Sequence, residues 1–136
     1  MARRPFVRSV SCISLLGAAV TIGACGGPAA SLFGVQRVGS IPGADVQIVP
    51  AADGLVTCNG HQHMLSSSQL LTAENFNVFW PGEHGTNLPS GPHPVYTYVV
   101  DTSSGTFSFS DDSPHITMLM RQLAAWVYTV DETVCH

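Results

Sequence analysis

The chain has 136 residues, 45% of them hydrophobic and only 10% charged, with no lysine and a formal charge of −4. Arg3, Arg4 and Arg8 cluster at the start, so residues 25–136 keep Arg37 and Arg121 against all nine acids, a formal charge of −7. That balance excludes a phosphate-binding groove, and with it nucleic acid as a partner, and it excludes attraction to anionic lipid by charge.

The three arginines precede an apolar run from Val10 to Ile22. At about 13 residues it is shorter than the roughly 20 needed to span a bilayer as a helix. Small residues then lead into a cysteine, as Ile22-Gly23-Ala24-Cys25. This order resembles the lipobox of bacterial lipoprotein precursors. The resemblance implies a signal peptide over residues 1–24 and a mature chain acylated at Cys25. It also implies a lipidated tether over 25–31 and a place on the extracytoplasmic face of the cell membrane. Buried acyl chains contribute about 0.8 kcal/mol per methylene, so the anchor rather than charge would hold the membrane. Arg3-Arg4-Pro5-Phe6-Val7 also resembles a twin-arginine export motif, with Ala2 where Ser or Thr is preferred, and both export routes stay open. The alternative is an ordinary signal cut near Ala24 or Ala30 and a secreted product.

Export sorts the four cysteines. On the lipobox resemblance, Cys12 would leave with the signal and Cys25 would take the lipid. Cys58 and Cys135 remain in an oxidising compartment, where one disulfide between them is expected. Free thiols serving as metal ligands are the alternative.

Leu32, Phe33, Val35 and Val38 suggest a first strand, broken by Gly39–Gly43 with Pro42. Val46 to Val49 gives a second strand, stopped at Pro50, and Asp53-Gly54 turns the chain into Leu55–Cys58. Ser66, Ser67 and Ser68 offer N-caps for a short helix to Phe76, with Leu70, Ala73 and Asn77 on one face. Residues 81–94 contain Pro81, Gly82, Pro89, Gly91, Pro92 and Pro94 and read as a long loop. Val95–Val100 and the alternating Thr106–Ser110 then form a hairpin across 101–105. Ser113-Pro114 reads as N-cap and first residue of a long helix, with Asp111 and Asp112 beside its positive end. Its apolar stripe runs through Ile116, Leu119, Met120, Leu123, Trp126, Val127 and Val130. The expected fold is a single α+β domain over 32–136. A small antiparallel sheet is packed by the long C-terminal helix and the shorter one, with one disulfide.

This order of pieces resembles the emfourin-like proteins, small inhibitors of thermolysin-type metalloproteases, and also short exported actinobacterial proteins of unknown role. The likeness rests on Asn75-Phe76-Asn77-Val78-Phe79, the Pro/Gly-rich loop, Tyr96-Thr97-Tyr98-Val99-Val100, Phe107-Ser108-Phe109-Ser110-Asp111, Pro114 and the helix to Trp126. The lipobox and the cysteine pair depart from that family. The resemblance implies a protein partner, such as a metalloprotease. The residues themselves nominate the 81–94 loop for recognition, through Trp80, Glu83, His84, Asn87 and His93.

The chain lacks a Gly-x-Ser-x-Gly elbow, a His-Glu-x-x-His helix and a phosphate-binding glycine loop. No catalytic residue and no cofactor are expected. The one dense group of ligand-type residues is Cys58-Asn59-Gly60-His61-Gln62-His63-Met64. His61, His63 and Met64 define the alternative function, an envelope copper- or zinc-binding lipoprotein. Cys135-His136 reads as a frayed end.

Overall fold

A computed structural model describes residues 27–136, so the proposed signal peptide, Cys12 and Cys25 lie outside the described residues. The domain is α+β. Strands β1 (Gly34–Gly39), β2 (Val46–Pro50), β3 (Leu55–Cys58), β4 (His61–Met64), β5 (Tyr96–Thr102) and β6 (Gly105–Ser110) form one antiparallel sheet. Their spatial order is β4-β3-β2-β1-β5-β6. Helices α1 (Ser67–Phe79) and α2 (Met118–Val134) follow β4 and β6.

Period-two alternation decides which sheet face is buried. Val35, Val46, Ile48, Val56, Cys58, Tyr98, Val100, Phe107 and Phe109 point inward and are buried. Gln36, Val38 and Gln47 point the other way. Helix α2 buries Met120, Leu123, Trp126, Val127 and Val130, the stripe expected from its 3.6-residue spacing. In α1 the buried residues are Ala73 and Phe76; Asn77, expected on that face, is exposed. Ser66 caps α1, its Oγ accepting from Gln69 N–H while Gln69 Oε1 accepts from Ser66 N–H (3.3 and 2.9 Å).

Phe33 sits where sheet and helices meet. Its ring centroid lies 5.3 Å from Trp80, 5.7 Å from Trp126 and 6.2 Å from Phe76. Trp126 Nε1–H donates to the Gln69 carbonyl (3.0 Å), tying α2 to α1. The disulfide joins Cys58 at the end of β3 to Cys135, the C-cap of α2. Pairing also begins earlier than expected. Ala52 N–H donates to the Ala30 carbonyl (3.1 Å) and Ser31 bridges Ala51, so the proposed tether is docked from Ala30 onward.

Two elements differ from the sequence expectation. Asn59 (φ 48°) and Gly60 (φ 87°) both adopt the left-handed region, which makes a two-residue hairpin and turns 61–64 into a strand. Helix α2 starts at Met118, with Thr117 Oγ1 accepting from Met120 N–H (3.2 Å), rather than at Ser113-Pro114. Ser113 Oγ instead accepts from Ser110 N–H at the end of β6 (2.7 Å), and His115 at φ 62° cannot continue a helix.

Candidate functional site

The loop expected over 81–94 is held at both ends and along its length. A 3-10 turn, Trp80–Gly82, carries it off α1. It then runs beside β6: Gly85 N–H donates to the Thr106 carbonyl (2.9 Å), Ser108 N–H to Thr86 (3.0 Å) and Leu88 N–H to Ser108 (2.9 Å). Asn87 Oδ1 accepts from Ser108 Oγ (2.8 Å), and His84 Nδ1 lies 2.6 Å from the Pro81 carbonyl.

Asp111 and Asp112 fasten the far end, which corrects their assignment to the start of α2. Asp111 Oδ1 accepts from Val95 N–H (3.0 Å). The Asp112 carboxylate accepts from His93 N–H (2.6 Å), Gly91 N–H (3.0 Å) and Ser110 Oγ (2.8 Å). The approach is close enough that a Cβ at Gly91 would stand 2.3 Å from the Asp112 carbonyl oxygen, so only glycine fits. Desolvation raises the Asp112 pKa, but the bonds from Ser110, His93 and Gly91 outweigh it and lower it from the ordinary 3.8. The clamp is therefore complete above about pH 4 and is lost as the pH falls through the lowered value. Asp112→Ala is expected to speed amide exchange at Gly91 and His93 at neutral pH. The wild-type loop should lose its protection, relative to the intrinsic exchange rate at each pH, only in stronger acid. Equal protection in both proteins at pH 7 would refute the clamp.

Glu83, His84, Asn87 and His93 are at least partly accessible on this loop, but Trp80 is not. It is 1% exposed, packed on Phe33, Phe76 and Phe107, and cannot take part in recognition. The exposed apolar residue at this end is its neighbour Phe79, 62% accessible, beside Val78 at 70%. Phe79 lines a groove of about 720 Å³ between α1 and α2, with Phe76, Leu119, Trp126 and uncharged polar residues such as Gln69 and Gln122. Met118, 76% exposed, precedes Leu119 at the same end. Phe79 thus belongs to the uncharged groove and stands directly before the turn that opens the held loop, whose own residues do not line the groove.

The metal alternative is only partly assembled. His61 and His63 oppose Cys58 and Val56 in the ladder and share their face, whereas Gln62 and Met64 lie on the other. Met64 therefore does not join the two histidines.

Sequence reasoning missed one buried pair. Arg37, 3% exposed, donates from Nη2 to Asp131 Oδ2 (2.5 Å) and from Nε to the Ala44 carbonyl (2.7 Å), with its guanidinium 4.9 Å from the Tyr96 ring centre. The signal was present: Arg37 continues the inward alternation of Val35, and Asp131 falls on the buried stripe four residues after Val127. Burial pushes the nearby Tyr98 hydroxyl up to about 12, against the pull of Arg37, so Tyr98 stays neutral and Asp131 supplies the counter-charge. Asp131, Glu132 and His136 bring donor atoms within 4.8 Å of one another, but the Asp131 carboxylate already serves Arg37. His136 Nε2 lies 3.5 Å from Asp131 Oδ1, but its side chain is 69% exposed.

Fold and site together define a two-layer α+β domain with one helical face, one open sheet face and a held loop at their margin. No family model matches the chain, and neither the curated proteins nor the solved structures contain a significant match to it.

Proposed function

We propose that this is an exported, non-enzymatic lipoprotein, anchored through acylated Cys25, that binds a protein partner with the 83–93 loop and the adjoining groove. The single observation that carries the reading is the exposed Phe79 in an uncharged groove, directly before the turn that opens that loop. Loops held in one conformation lose little entropy on binding, and exposed aromatic residues beside a pocket supply binding energy. The placement of residues 28–31 adds support. Pro28, Ala29 and Ser31 lie against Val49, Thr57 and Gln62 on the open sheet face, away from the helices. A lipid at Cys25 would turn that face to the membrane and the groove outward.

The sharper form of the proposal makes the partner a thermolysin-type metalloprotease, on the resemblance of the aromatic and loop pattern. The test is to titrate the purified chain into such a protease. Inhibition at micromolar concentration is expected, and Phe79→Ala should weaken it by about tenfold or more, the scale of an interface hot spot. Undiminished protease activity would refute the inhibitory role. Inhibition unaffected by Phe79→Ala, Glu83→Ala and His84→Ala would refute the surface.

A further inference from the structure

The two edges of the sheet are treated differently. The β6 edge is covered by the 85–88 segment, which bonds to Thr106 and Ser108. The β4 edge pairs only with β3, and no other described segment lies along it. Uncovered edges are ordinarily blocked by lysine, other charges, proline or a bulge, because their open N–H and C=O groups accept another strand. His61-Gln62-His63-Met64 contains none of those residues.

The register of β4 determines what pairing there would bring together. The two-residue Asn59-Gly60 turn makes Cys58 and His61 the first hydrogen-bonded pair, so the backbone groups of His61 and His63 face β3. Those of Gln62 and Met64 face outward. A second copy laid antiparallel about Gln62 would exchange both bonds between the two Gln62 residues. His61 of each copy would then oppose His63 of the other. Such pairs bring Cβ atoms to within about 5 Å on one face. Two imidazoles from one chain leave a zinc ion half-coordinated, whereas four imidazoles complete a tetrahedral set. The strand is also close to self-complementary, with the same imidazole on either side of the central glutamine.

We propose that two copies of this chain join through their β4 edges around one zinc ion, held by His61 and His63 from each. This interface is separate from the loop and groove proposed for the protein partner, and its failure would leave that reading untouched. Zinc is the switch: a strand of four residues offers too few hydrogen bonds to overcome the entropy of association alone.

Sedimentation velocity of the full chain, in EDTA and in excess zinc chloride, tests this, with zinc stoichiometry measured by titration. Zinc is expected to double the mass at half a zinc per chain. His61→Ala and His63→Ala should each abolish the doubling. Gln62→Pro keeps both histidines but removes the outward N–H at an edge position that tolerates proline. It should also abolish the doubling while leaving the circular dichroism unchanged. Monomeric mass at saturating zinc, or doubling that survives either histidine substitution, would overturn the proposal. So would retention of the dimer in a folded Gln62→Pro variant.

Discussion

Replacing Cys58 or Cys135 by serine is expected to lower the unfolding free energy by about 4.5 kcal/mol, the chain-entropy value for a loop of this length. The bond spans 77 residues and ties the end of β3 to the cap of α2, so it closes most of the described domain into one loop. Small domains are stable by only about 5–15 kcal/mol, so this one bond is a large share of the total. Urea denaturation measures the loss. The double serine variant should lose no more than either single one, and wild type in reducing agent should coincide with all three. Losses that add would mean that the two thiols contribute separately.

Asp131→Ala is expected to cost about 3–5 kcal/mol, because it strands the Arg37 guanidinium inside the fold. The reason is desolvation rather than the strength of the pair. Arg37 keeps the Ala44 carbonyl and the Tyr96 ring but loses its counter-charge. Removing both charges, as Arg37→Met with Asp131→Leu, should therefore recover most of the loss, since apolar residues of similar volume replace buried ion pairs at little cost. A double-mutant cycle read by thermal or urea unfolding checks this. A double variant as unstable as the two single losses summed would contradict it.

Much of the fold was legible because burial in small domains follows periodicity. The alternating 106–110 segment, the stripe of α2 and the Ser66 cap each carry a local signal that the tertiary structure uses unchanged. The pairing of Cys58 with Cys135 followed from sorting the cysteines by compartment. Long-range contacts were harder to read. Trp80 stands at the border of a Gly/Pro-rich loop, and its burial needs Phe33 and Phe107, distant in sequence, as well as nearby Phe76. Ser113-Pro114 has the local chemistry of a helix start, but Ser113 is already bonded to the end of β6. Asp111 and Asp112 looked like helix-end charges because their true partners, the amides of Gly91, His93 and Val95, are many residues away. The β4 strand did have a local signal in Asn59-Gly60, overshadowed by the His-x-His spacing that follows it. Of the candidate site, the loop was nominated from sequence, whereas Phe79 and the groove depend on how α1 and α2 pack together.

We propose an exported chain held to a membrane by Cys25, whose domain is closed by the Cys58–Cys135 bond. Intact-mass spectrometry of the protein extracted from its native cells tests both parts at once. A species in the membrane fraction that begins at Cys25, carries acyl mass and falls two hydrogens short of the reduced polypeptide is the predicted result. A soluble cytosolic species beginning at Met1, with Cys58 and Cys135 both open to alkylation, would contradict it.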